Sequence, residues 1–406
     1  MSKIKAIDLF AGCGGLTEGF AQTNYYETKA CVEWETAQCL NLRKRLKEKW
    51  NILDADQRVV RFDIQRTEEL INGFSDPQYG SSVGLKSLVG ETIDIVIGGP
   101  PCQAYSIAGR IRDVKGMKED YRNFLFESYL KVVKYFRPKV FVFENVPGIL
   151  SANPTGTPIV DLIRKQFSDI GYEILSDLRE AVVDVADYGV AQHRKRVIIL
   201  GLNKNYYGES TDKLLKKFYE IVLPKYRESN SKTLKDVIGD LPELYPTGNI
   251  VRIDGRKTAH SLPNQDIKNH VARFQNERDI GLFRLLANDI ESGENKYFSI
   301  EARKELYTAH TGRMSNIHKY NVLKWDEPST TIPAHLCKDG LRHIHPDSKQ
   351  ARTITVREAA RIQSFPDDYE FIGSMTDQFK MIGNAVPPEF ARRLALAVNE
   401  LFFSKR

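Results

Sequence analysis

Short apolar runs and helix-like stretches alternate through the first 202 residues, and this rhythm constrains the fold more than any other feature. The strand candidates are residues 5–12 ("KAIDLFAG"), 28–34, 58–64, 92–99, 139–146, 173–185 and 195–202. They are rich in Val, Ile and Phe, and several are continuously apolar, as strands buried on both faces are. Helix-like segments at 36–50, 122–136 and 158–170 lie between them. The alternation predicts an α/β architecture with a doubly wound, mostly parallel sheet. Ligands of such sheets bind at the carboxyl ends of the strands, near the point where strand order reverses.

Beyond residue 203 the rhythm is lost. Tyr and Asn become common, and seven of the eight histidines fall between His260 and His345. A helical pattern returns at 355–365 and 387–403. The expected division is a domain at 1–202, a second and smaller one at 203–306, and a return segment at 307–406 whose last helix packs on the first. With 41% apolar and 28% charged residues, the 406-residue chain can bury a sizeable core. Its net charge of +6 permits a nucleic-acid partner without demanding one. Five cysteines with no CxxC argue against a disulfide framework or zinc finger and suit a reducing cytoplasm. No signal peptide or membrane span is expected. "HIH" at 343–345 supplies two histidines without a third ligand, so no metal is expected, and surface or phosphate contact is the expected role.

Several short stretches carry chemistry. In "DLFAGCGGLTEGF" (8–20) a strand runs into glycines at 12, 14 and 15 that open a helix. This is not GxGxxG, which argues against a dinucleotide and an NAD-dependent oxidoreductase and for a nucleoside-type cofactor without a pyrophosphate. Glu33, closing the second strand, can accept two ribose hydroxyls; Trp34 can cover an adenine face, and Asp63 can accept its amino group. In "IGGPPCQAYSIAGR" (97–110) two prolines stiffen the approach to Cys102, a candidate thiolate nucleophile. The polar segment that follows, with Arg110 and Arg112, suits a lid closing over phosphates. Glu144, in "FVFENVPGIL" (141–150), is a candidate proton holder beside Cys102. Arg194 and Arg196 share a strand face, which suits an acceptor oxygen or phosphate.

Taken together, these stretches, with "ARTITVREAARIQSFPDDY" (351–369) and "QFKMIGNAVPP" (378–388), resemble the cytosine-5 DNA methyltransferase family, prokaryotic and of restriction-modification type. The resemblance covers 1–202 and about 307–395, in the family's order, and the smaller domain between them, 203–306, resembles the family's DNA target-recognition domain by position only. It implies a methyltransferase of Rossmann-like fold that uses S-adenosyl-L-methionine. Phe10, Gly12, Gly14, Glu33, Trp34, Asp63, Ile64, Pro100 and Asn384 then fall to the cofactor. Cys102 matches the nucleophile, and Glu144, Arg194 and Arg196 match its catalytic companions. Ser106, Arg110 and Arg112 fall to DNA. It further implies double-stranded DNA as partner, base flipping, a monomer, a cytoplasmic location, and functional pairing with a cognate restriction endonuclease. An RNA-methylating relative or a solitary DNA methyltransferase is the alternative. A catalytically silent module would be expected to lack Cys102, Glu144 or the glycines, and all are present.

Overall fold

The computed structural model describes residues 2–90, 92–101, 125–153, 156–253, 255–264, 266–314, 319–338 and 340–404. Two compact units emerge: Met1–Gly189 with Arg194–Asn230 and Ala385–Arg406, and Val190–His193 with Ser231–Asn384. Residues 204–230 thus stay with the first unit, and 307–384 belong to the second.

The first unit is built on an eight-stranded sheet. Its strands are β1 (Ile4–Leu9), β2 (Tyr26–Glu33), β3 (Val59–Arg61), β4 (Ile95–Gly98), β5 (Val140–Asn145), β6 (Tyr172–Ile174), β7 (Val182–Asp184) and β8 (Lys195–Asn203). The order is β3-β2-β1-β4-β5-β8-β6, with β7 also on β8. The first five are mutually parallel, and β8 runs antiparallel to β5, β6 and β7. Their apolar residues are almost all buried, as strands covered on both faces require. Strand order reverses between β1 and β4, so the carboxyl ends of β1, β2, β3, β4 and β5 share one edge around that point.

One expectation needs correction. Residues 173–185 are not a single strand but β6 and β7, joined through a turn. Asp177 makes that turn: its Oδ1 accepts from the Arg179 amide at 3.0 Å, a local bond that competes with strand pairing. The two pieces then pair with opposite ends of β8, Ile174 opposite Gly201 and Val183 opposite Arg196.

Helices α1 (Gly15–Gln22), α2 (Thr36–Glu48), α3 (Leu125–Phe136) and α4 (Ile159–Asp169) connect the strands, and α9 (Pro388–Val398) returns from the far end of the chain. The approach of α1 to α9 is close enough to demand glycine. A Cβ on Gly15 would sit 2.2 Å from the Val386 carbonyl, and one on Gly19 2.4 Å from that of Pro388. Tyr26 secures the contact by donating its hydroxyl to the Ala395 carbonyl at 2.8 Å.

The second unit contains the hairpin β9 (Pro246–Ile253)/β10 (Arg256–His260) and helices α5 (Glu277–Glu291), α6 (Ile300–Thr311), α7 (Val356–Ile362) and α8 (Met375–Asn384). Its interior is unusually polar. Arg352 grips Glu358 with two bonds, 2.6 and 2.7 Å, and Thr355 caps α7 in a reciprocal box with the same carboxylate. Burial pushes Glu358 up, but the Arg352 and His345 charges and the Arg352 bonds outweigh it and hold the carboxyl well below its usual range. Arg357, fully buried, donates to the Lys268 and Tyr369 carbonyls at 2.9 Å each. His343 and His345 also lie inside, which corrects the expected surface or phosphate role of "HIH". His345 packs edge-on against Trp325 with Nε2 3.5 Å from Glu358. Among the described residues no helix is long and apolar enough to cross a membrane.

Candidate active site

Phe10 leaves β1 with φ of +59°, a left-handed conformation uncommon for an aromatic residue and found where surrounding structure enforces it. The chain then turns through Gly12 (φ +59°) and Gly14 (φ +89°) into α1. Side chains would not fit here: a Cβ on Gly14 would meet Leu42 Cδ1 at 2.5 Å. Glu33, at the end of the adjacent β2, binds this turn. Its Oε2 accepts from the Gly12 amide, and its Oε1 from the Trp34 and Glu35 amides, all at 2.9 Å. Burial raises the Glu33 carboxyl, opposed by those three amides. The carboxylate is therefore fixed in direction beside the turn.

Trp34 follows, and half of its surface is exposed, so core packing does not account for it. Asp63 lies two residues past the end of β3 and accepts from the Gln65 amide at 3.0 Å; Ile64 next to it is buried. This donor set fits S-adenosylmethionine: a fixed carboxylate for a ribose diol, a half-exposed indole for a purine face, and a second carboxylate for an exocyclic amine.

A second cluster forms at the ends of β4 and β5. Gly99 passes so close to Glu144 that a Cβ there would lie 2.7 Å from Glu144 Oε2. Asn145 Nδ2 donates to the Pro100 carbonyl at 3.4 Å, and Pro100 is buried. Glu144 Oε1 pairs with Arg196 Nε at 2.7 Å, each side chain 13% exposed. Arg194, 3% exposed, donates from Nη2 to the Ala385 carbonyl at 3.3 Å. Burial and then the charge of Arg196 push the Arg194 guanidinium well down, with Glu144 opposing. Two guanidiniums and one carboxylate thus act on one another at the edge where β4 ends. Asn384, exposed, closes α8 immediately before Ala385. Cys102, Ser106, Arg110 and Arg112 lie outside the described residues, which stop at Pro101 before Cys102.

Three of the described cysteines lie in settings unlike that of a nucleophile. Cys13, Cys31 and Cys39 are buried. Burial raises the Cys31 thiol, and pushes that of Cys39 up to about 12, so neither is a thiolate near neutrality.

Sequence reasoning gives Asp8 no role, although an acid inside an apolar strand is a visible signal. It is fully buried in β1 and accepts from Thr17 Oγ1 at 2.6 Å, while its other oxygen has no hydrogen-bond partner. Burial raises the carboxyl to about 7; Thr17 opposes this and Glu33 adds to it. An acid whose pKa rises on folding keeps its proton where the unfolded chain has lost it. Its contribution is therefore full below about pH 4 and lost as pH rises through about 7. Asp8→Asn is expected to flatten that fall and to exceed the parent in stability at pH 8 by roughly a few kcal/mol, because every tenfold difference in proton affinity between the folded and unfolded chains is worth about 1.4 kcal/mol. Thermal melts of both proteins at pH 5 and pH 8 measure the difference.

The geometry combines a nucleoside-type site on a glycine turn with an acid–guanidinium cluster at the neighbouring strand ends. A family model, C-5 cytosine-specific DNA methylase, matches residues 4–400. The chain belongs to the C-5 cytosine-specific DNA methylase family. It is an S-adenosylmethionine-dependent enzyme that acts on DNA. The type II methyltransferase M.Bpa9945I of Bacillus paralicheniformis is 35% identical, over 97% of this chain and 98% of that protein. M.DdeI of Desulfomicrobium norvegicum, also a type II methyltransferase, is 32% identical over 98% of this chain and 88% of its own length. In fold, a DNA modification methyltransferase from an E. coli prophage superposes with a TM-score of 0.61 at 23% identity, covering 98% of this chain and 99% of that one. The mostly parallel sheet is thus that of this methylase family.

Proposed function

We propose that this methylase modifies carbon 5 of a cytosine everted from a specific duplex sequence, through a transient bond to Cys102, and that it protects DNA from a cognate restriction endonuclease. The Glu144–Arg196 pair, set against Gly99 just past the end of β4, carries this reading. Carbon 5 of cytosine is too weak a nucleophile to take up a methyl group unaided. Addition of the Cys102 thiolate at carbon 6 makes carbon 5 nucleophilic. Glu144 holds a proton at ring nitrogen 3 and so draws off the charge as the sulfur adds. Arg194 holds the ring carbonyl oxygen where negative charge grows, and Arg196 keeps Glu144 in place. S-adenosylmethionine, held by Phe10, Gly12, Gly14, Glu33, Trp34, Asp63, Ile64, Pro100 and Asn384, supplies an electrophilic methyl group. Loss of the carbon 5 proton and expulsion of the thiolate then restore the aromatic ring. Eversion costs a few kcal/mol, offset by protein contacts that include Ser106, Arg110 and Arg112. The enzyme acts as a monomer, and the second unit reads the sequence. That its relatives M.Bpa9945I and M.DdeI are named type II methyltransferases supports the restriction-modification role.

Expression in a host free of cytosine methylation, followed by mapping of 5-methylcytosine, tests the activity and reports the target sequence; no methylated motif would refute it. A duplex carrying 5-fluorocytosine at that target is expected to trap a covalent adduct, because fluorine blocks the last elimination. Cys102→Ser is expected to abolish the adduct, and its persistence would move the nucleophile elsewhere. Glu33→Ala is expected to weaken S-adenosylmethionine binding at least about 10-fold by loss of a charged hydrogen-bond acceptor. DNA affinity without cofactor should hardly change, as titrations with each ligand would register.

A further inference from the structure

The second unit carries a cleft that the chemistry above leaves without a task. It is lined by Ile290 from α5, Tyr297 and Phe298 from the connection to α6, Arg303 from α6, and Tyr320 and Lys324 beyond it. Arg303 is the unusual member. Its Nη1 donates to the Tyr320 carbonyl and Asn321 Oδ1 at 3.3 and 3.2 Å, Nη2 to the Phe298 carbonyl at 2.7 Å, and Nε to the Ser299 carbonyl at 3.3 Å. Every one of these acceptors is neutral. A guanidinium has five N–H groups, so one on Nη2 remains. Among the described residues no carboxylate lies within ion-pair distance of it, and burial alone depresses its pKa. Asp289, the acid of the cleft wall, is engaged by the amides of Lys296 and Tyr297 at 2.8 and 2.9 Å.

The cleft is lined by two cations, Arg303 and Lys324, against one acid, Asp289. At the rim Phe298 is 58% exposed, with Lys324 Nζ 5.8 Å from its ring centre, and Lys296 Nζ lies 5.5 Å from that of Tyr297. Lys324 is itself paired with Glu327 at 2.7 Å, so among the described residues Arg303 is the cleft-lining cation without an ion pair. A half-buried cation held rigidly by neutral oxygens is organised for an anion from outside, and an exposed aromatic beside it suits the apolar face of a sugar.

We propose that this cleft binds the DNA backbone, with Arg303 donating to a phosphodiester oxygen and Phe298 covering the adjoining deoxyribose. The inference rests on the second unit meeting DNA, as proposed above, and assigns a contact that positions the duplex without reading its sequence. Such a contact releases a counterion, whereas a base contact discriminates between sequences.

The test is duplex binding by fluorescence anisotropy across a salt series, with two labelled duplexes of unrelated sequence. Arg303→Gln is expected to weaken both about 10-fold at moderate salt and to reduce the slope of log Kd against log salt by about 1. Arg303→Lys, which keeps the charge, should restore the slope. Phe298→Ala, at an exposed position, should weaken both duplexes with the slope unchanged. An unchanged affinity in Arg303→Gln and Phe298→Ala alike would overturn the proposal, as would a loss confined to one duplex, which marks base reading. A wild-type protein that binds neither duplex would refute duplex binding by the chain as a whole, a separate failure from unaltered variants.

Discussion

Glu144→Gln is expected to slow methyl transfer by about 10²–10⁴-fold, the usual contribution of a positioned proton-transfer group. An amide keeps the shape of the side chain but neither carries the anion that faces Arg196 nor delivers a proton to ring nitrogen 3. It also leaves Arg194 and Arg196, which already repel one another, without the carboxylate that relieves them. The loss should fall on kcat, with S-adenosylmethionine affinity retained, because Glu33 and the glycine turn are separate from this pair. Single-turnover methylation of a target duplex, alongside cofactor titration, measures both. A variant that keeps full turnover would remove Glu144 from the chemistry and leave it a partner of Arg196 only.

Gly19→Val is expected to destabilise the first unit strongly. Even a lone Cβ at position 19 would lie 2.4 Å from the Pro388 carbonyl, 2.5 Å from Ala391 Cβ and 2.6 Å from the Arg392 amide. Two of those atoms are backbone, so no rotamer change relieves the clash, and α1 and α9 must separate. Overpacking of this kind costs about 1–3 kcal/mol and occasionally more; two added methyls on a backbone contact place it at or above the upper end. A fall in Tm of about 10 °C is expected. Because α1 opens directly from the turn that Glu33 holds, cofactor affinity should fall with it. Gly281→Ala is the control: a Cβ there meets nothing within 4 Å, and stability should hold or rise. Equal melting curves for Gly19→Val and the parent would show that the helices are not packed so closely.

Much of the first unit was legible because its strands declare themselves locally. "TIDIVIGG" and "KVFVFENV" are continuous apolar runs that can only lie inside, and β4 and β5 fall within them. The division of 173–185 was not legible: its composition is that of a strand, and only the Asp177–Arg179 turn breaks it. The histidines of "HIH" misled for a related reason, since polarity in a sequence suggests surface while their burial depends on Glu358 and Trp325 from distant positions.

By itself the sequence determined the alternation of strands and helices, the glycine turn and the identity of the acids and guanidiniums, since periodicity, φ preferences and ionisable groups are properties of neighbouring residues. Only the tertiary structure decided which of them meet. Glu33 reaches Gly12 across 21 positions, Arg196 reaches Glu144 across an antiparallel pair, and α9 arrives from the far end of the chain to press on Gly15 and Gly19. Those encounters follow from strand order and helix packing, and no local pattern encodes them.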